Sequence, residues 1–229
     1  MLIDRVALLS ALGPQAAAEA LADPLPALAR RSILALGAPS QPPGSADPPL
    51  PFAEKELELI REEYPDAEAL KGSAVTRDSF LSSLKRADGV LHFAGHFYLA
   101  GDGPRFSDPL GGVLRTSDGS VSMLDVLNAR TRASLVVLSA CHTMISPERA
   151  STGSGDELRS LAQAFRFAGA GWVLATSMHV NDLTASLVMK RFYRAARTDD
   201  ILRALQKAQL EVRKLHPHPA WWATFSILI

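Results

Sequence analysis

The chain has a single cysteine, no net charge and few aromatic residues. One cysteine excludes an internal disulfide framework and makes a reducing cytoplasm the expected compartment. Lys plus Arg and Asp plus Glu number 24 each. That balance removes the basic excess that drives binding to nucleic acid or to an anionic membrane surface. No apolar run reaches the length of a membrane span. The N-terminus has neither the basic start nor the small-residue cleavage site of a signal peptide. No internal repeat and no heptad pattern recurs. What is present is an ordinary globular composition, 47% hydrophobic and 21% charged over 229 residues, long enough for one sizeable core.

Compact apolar runs bounded by Gly, Pro or polar residues read as buried strands: "RSILALGAP" (31–39), "GVLHFAG" (89–95), "ASLVVLSA" (133–140), "GWVLATS" (171–177) and the closing "WWATFSILI" (221–229). Between them lie helical patterns. Residues 52–65 place Phe52, Leu57, Leu59 and Ile60 along one side of a charged helix. Thr76 caps a helix with an apolar face of Phe80, Leu81 and Leu84. Further helices are expected over 122–130 and 156–169, from Asn181 or Asp182 onward, and over 199–215. Residues 1–30, rich in Ala and Leu but broken by three prolines, read as short helices. The proline-rich 39–51 has no regular element, 100–112 and 144–155 read as loops, the latter flexible by composition, and a short strand is expected near Val113–Leu114. Continuous apolar strands alternating with helices predict an α/β fold, a mainly parallel sheet with helices on both faces. Ligands in such sheets bind beyond the carboxyl ends of the strands. Chemistry is therefore sought just after residues 39, 95, 140 and 177.

Two of those places carry reactive side chains. His96 follows the strand 89–95 and Cys141 follows the strand 133–140. If the strands are neighbours, about 4.8 Å apart, the two side chains face each other across a short gap. His92 lies four residues earlier, inside the sheet layer, and reads as a core histidine. A free thiol titrates near 8.5, so an adjacent imidazole is needed to generate thiolate and later to protonate a leaving amine. Backbone N–H groups of Cys141 and of Gly95 or Phe97 are the candidates to hold an oxyanion. Each residue also has a plain alternative. A lone cysteine after a strand is commonly a small buried hydrophobe, and a lone histidine in an apolar run is commonly a hydrogen-bonded core residue. "HFAGH" has the spacing of a helical metal pair but lacks the accompanying glutamate and sits in a strand, so no metal is expected. "GSGDE" (153–157) lacks the elements of a phosphate loop.

Several blocks in order resemble one family, the CHAT domain, a caspase-like relative of cysteine peptidases often attached to TPR repeats. They are "PFAEKELELI", "LKGSAVTRDSFLSSLKRADGVLHFAGH", "LVVLSACHT", "GSGDELRSLAQAFRFAGAGWVLATSMHVND" and "HPAWWATFSILI". The resemblance runs from about residue 31 to 229 and leaves 1–30 as an N-terminal helical extension or junction. It implies a caspase-like three-layer sandwich and endopeptidase activity from a Cys–His dyad that falls on His96 and Cys141. It implies no metal or cofactor, a protein or peptide substrate, a regulatory or TPR-type partner, and a place in bacterial signalling or defence. Two departures stand out. Phe97 occupies the place where the family usually has Gly after its histidine, which predicts a narrowed cleft or an altered oxyanion donor. "MHVND" stands where the family usually reads Trp-x-Val-Asp-Asp. Asp182 is retained there, and Asp156 matches a frequent acidic position. Either one, lining the first specificity pocket, would favour a basic residue before the scissile bond; helix capping is their other role. The departures favour an alternative, a catalytically silent interaction domain. A third reading, a cysteine hydrolase or acyltransferase acting on small molecules, needs a closed apolar pocket.

Overall fold

The computed structural model describes residues 9–10, 18, 22, 25–41, 47, 49–99, 112–140, 161–176 and 180–229. The strands are β1 (Leu9–Ser10), β2 (Ile33–Pro39), β3 (Glu68–Gly72), β4 (Val90–Ala94), β5 (Phe97–Leu99), β6 (Gly112–Arg115), β7 (Ser120–Ser122), β8 (Leu135–Ser139), β9 (Trp172–Thr176) and β10 (Phe225–Leu228). The helices are α1 (Pro51–Glu63), α2 (Arg77–Arg86), α3 (Met123–Ala129), α4 (Leu161–Phe167), α5 (Asp182–Ala195) and α6 (Ile201–Leu215), with a 3-10 turn at Pro219–Trp221.

Seven strands form one sheet in the order β1-β10-β9-β8-β4-β2-β3. β2, β3, β4, β8 and β9 run parallel, and β10 closes against β9 in the opposite direction. Every residue of β4, β8 and β9 is buried, as expected for parallel strands covered on both faces. Alternate side chains of one strand enter two separate cores. Val90 and Ala94 of β4 join Leu135 and Val137 of β8 against α1, α5 and α6. Leu91 and Phe93 join Val136, Leu138 and Ala140 against α2, α3 and α4. The result is a three-layer sandwich, in agreement with the sequence.

Among the helix starts whose preceding residue is described, four follow local chemistry and that of α1 does not. Thr76 and Ser79 form a reciprocal capping box at the start of α2, Ser122 and Asp125 do the same for α3, Asn181 caps α5 and Asp200 caps α6. The residue preceding α1, Leu50, has no side chain able to cap. The acceptor comes from far along the chain: Asp182 Oδ2 takes the Phe52 N–H at 2.7 Å.

The structure adds four strands that the patterning did not reveal, β1, β3, β5 and β7. β3 is a half-exposed edge strand, and β5, β6 and β7 make a small antiparallel sheet of three strands, of which only β6 was expected. Leu9–Ser10, read as part of a helical stretch, is extended instead and pairs with the outer edge of β10, which otherwise offers unpaired backbone groups. Residues 25–30 pack onto the sandwich through Leu25 and Leu28, with Leu28 N–H bonded to Ala196 O at 2.6 Å. Phe52 is exposed at the start of α1, whereas Leu57, Leu59 and Ile60 are buried as expected. The closing segment is a strand only over Phe225–Leu228. The 144–155 loop lies outside the described residues.

Candidate active site

β4 and β8 are parallel neighbours, with His92 paired to Val137 and Ala94 to Ser139. They are therefore neighbours, which is the condition that the sequence argument placed on His96 and Cys141, and they also end level. The ladder extends one step further, because the Gly95 N–H donates to Ser139 O at 3.3 Å. That bond engages the Gly95 N–H in the sheet and removes it from the set of free oxyanion donors. Cys141 and Asp156 lie outside the described residues.

His96 stands at the turn between β4 and β5 and is partly exposed. Its ring stacks on Tyr98, with centroids 5.7 Å apart and planes at 23°. Tyr98 is itself anchored: its hydroxyl donates to Asp47 Oδ1 at 2.7 Å, and Asp47 Oδ2 lies 3.3 Å from Arg115 Nε. The backbone carbonyl of His96 accepts from Arg115 N–H at 3.0 Å. A stacked ring and a bonded backbone limit the positions the imidazole can take.

Phe97 corrects an expectation. Its side chain is buried in the core shared with Leu114 and Val121. Its ring fills the place where any side chain at position 112 would begin, since a Cβ on Gly112 would lie 2.3 Å from Phe97 Cζ. The ring therefore turns away from the strand ends and into the sandwich. The reason is β5 itself, which the sequence did not predict: in a strand alternate side chains take opposite faces, so Phe97 goes to the core and Tyr98 to the side of His96.

Asp182 is half-buried at the start of α5 and caps α1. Burial is the main cause that raises its carboxyl above the ordinary range, and Glu56 adds to this; the Phe52 N–H and His96 act in the other direction. The capping alternative had Asp182 capping the helix that it begins; Asn181 caps that helix, through Leu183 N–H at 2.9 Å, and Asp182 caps α1 instead.

The residues that the sequence reading missed lie directly under the strand ends. His92 is fully buried, as expected of a core histidine. Its Nε2 is 2.9 Å from Glu56 Oε1, an ion-pair distance without the alignment of a hydrogen bond, and its Nδ1 is 3.0 Å from the Tyr193 hydroxyl. Ser139 donates to Glu56 Oε2 at 3.1 Å. The signal for Glu56 was present. Ala53, Glu56, Leu57 and Ile60 recur at helical spacing, so the glutamate shares the buried face of α1. Tyr193 and Ser139 gave no comparable signal. Among the described residues no group of three or more His, Cys, Asp or Glu side chains is arranged to hold a metal ion, and no described helix is long and apolar enough to cross a membrane.

A mainly parallel sheet between two helical layers is the caspase-like α/β sandwich. The same fold is found in gingipain R, titled an Arg-specific cysteine proteinase, with a TM-score of 0.52 at 10% identity over 86% of this chain and 45% of that one. The complex of pro- and mature domains of the Porphyromonas gingivalis enzyme matches with a TM-score of 0.55 at 10% identity, over 86% and 46%. The Saccharomyces cerevisiae separase–securin complex matches with a TM-score of 0.58 at 14% identity, over 90% of this chain and 12% of that one. This chain therefore spans less than half of these longer proteins. No curated protein matches it in sequence. The model of the CHAT domain matches residues 2–229, and the chain belongs to the CHAT domain family.

Proposed function

We propose that this chain is a cysteine endopeptidase domain in which Cys141 is the nucleophile and His96 its base. The observation that carries the reading is the level ending of β4 and β8. His96 lies two positions after Ala94, and Cys141 two positions after Ser139. In the reaction, His96 accepts the thiol proton as sulfur attacks the scissile carbonyl. The Cys141 and Phe97 N–H groups are the remaining candidates to stabilise the oxyanion. The imidazolium then protonates the departing amine, and water hydrolyses the thioester with His96 again as base. Asp156 and Asp182 are the candidates for a first pocket that favours a basic residue. Asp182 serves there only if it can face substrate while it caps α1.

Activation by a regulatory or TPR-type partner, in a bacterial signalling or defence setting in the cytoplasm, belongs to the same proposal. The buried Phe97 ring weighs against a narrowed cleft, while an altered oxyanion donor at Phe97 and the changed "MHVND" turn still favour the silent interaction domain. The deciding experiment is substrate profiling by mass spectrometry with wild type and Cys141→Ala. New peptide termini that vanish in the variant are the expected result. Identical cleavage by the variant would overturn the reading, and failure of an electrophilic peptide probe to label Cys141 in a His96-dependent way would support the silent alternative.

A further inference from the structure

One polar cluster interrupts the otherwise apolar face that β4 and β8 share with α1 and α5. Glu56, only 1% exposed, reaches two neighbouring strands at once. Its Oε1 faces His92 of β4, and its Oε2 accepts from Ser139 of β8. Tyr193 fixes the far side of the His92 ring, and the Tyr64 hydroxyl donates to the Tyr193 carbonyl at 3.1 Å, which ties α5 back to the C-cap of α1. The Tyr193 hydroxyl meets the Nδ1 edge of the ring while the Nε2 edge faces the Glu56 carboxyl, so the ring is held from two sides.

Such a cluster has a cost. A buried carboxyl and imidazole lose hydration that well-packed apolar side chains would never need to recover. What a bonded polar network provides in exchange is one defined arrangement. Here the arrangement is the relative height of two strands at their carboxyl ends. His92 lies four residues before His96, and Ser139 two before Cys141. The cluster also reaches the rim of the site, since Asp182, which caps the first turn of α1, interacts electrostatically with both Glu56 and His96.

We propose that Glu56 is a positioning residue for the His96–Cys141 pair, clamping the carboxyl ends of β4 and β8 through His92 and Ser139. This rests on the dyad reading above. Glu56 acts through the strands and touches no substrate.

The test is the rate of alkylation by iodoacetamide across pH, on the full chain, with circular dichroism to establish folding. It requires no substrate, and the single cysteine makes the modification unambiguous. Glu56→Ala is expected to slow alkylation at neutral pH by about tenfold and to move its midpoint toward that of a free thiol, about 8.5. Glu56→Gln keeps an acceptor for Ser139 and is expected to recover most of the rate. A folded Glu56→Ala protein with the wild-type rate and midpoint overturns the positioning role, while His96-dependent alkylation leaves the dyad intact. If Glu56→Ala does not fold, Ser139→Ala removes only one hydrogen bond and is expected to slow alkylation by about threefold; a wild-type rate there overturns the proposal equally. If His96→Ala alkylates like wild type, the dyad itself is absent and the positioning role falls with it.

Discussion

Glu56 Oε1 and His92 Nε2 lie 2.9 Å apart, and neither side chain is more than 1% exposed. Removing one partner leaves the other in an apolar surrounding with part of its polar surface unmet. His92→Leu is therefore expected to lower stability by about 3 kcal/mol. The double variant Glu56→Leu with His92→Leu is expected to lose at least about 1 kcal/mol less than the sum of the two single losses. Urea unfolding of the four proteins measures that coupling directly.

Tyr193 adds an alkaline limit. Burial, followed by the nearby Glu56 and Tyr64, holds its phenol well above the ordinary value of 10.0. Tyr64 is raised as well, chiefly by burial. A raised phenol means that the folded state retains a proton that the unfolded chain releases. The stabilisation is complete below about pH 10 and is lost as pH rises beyond it. Tyr193→Phe is expected to flatten that decline while costing about 1 kcal/mol at neutral pH through the lost His92 contact. Thermal unfolding followed at several alkaline pH values checks both effects.

Asp182 offers a test that separates capping from substrate selection. Its carboxyl is raised, chiefly by burial, so the folded state binds a proton more tightly than the unfolded chain. Its contribution is fully present below the ordinary carboxylate value and falls as pH rises through the folded value. Asp182→Asn keeps the acceptor for Phe52 N–H and removes that dependence. Its melting temperature relative to wild type is expected to rise between about pH 4 and pH 7. Asp182→Ala is expected to cost about 1 kcal/mol as a lost cap. If Asp182 also lines the first pocket, the Asn variant alone should lose any preference for basic residues in a peptide library.

Phe97 should behave as a core residue. Phe97→Ala is expected to destabilise by about 3 kcal/mol, read from denaturant unfolding. Widening of substrate preference with unchanged stability would contradict the burial of its ring.

The strand frame was legible because parallel strands covered on both faces must be continuously apolar, and "VLHFA", "LVVLS" and "WVLAT" are all buried throughout. Thr76 was legible as a cap because its capping box closes within four residues. β3, β5 and β7 were not, since three to five half-buried residues carry too little periodicity to stand out. Missing β5 is also why Phe97 was assigned to the cleft.

The sequence by itself determined the alternation of strands and helices and the buried strands that His96 and Cys141 follow in the chain, because these follow from local patterns of burial. Only the tertiary structure decided that β4 and β8 are neighbours in level register. It alone paired Glu56 with His92 and Ser139, turned Phe97 inward and gave Asp182 to a helix far away in the chain. Those relationships join residues from different elements, and they depend on how the layers pack, which no local pattern encodes.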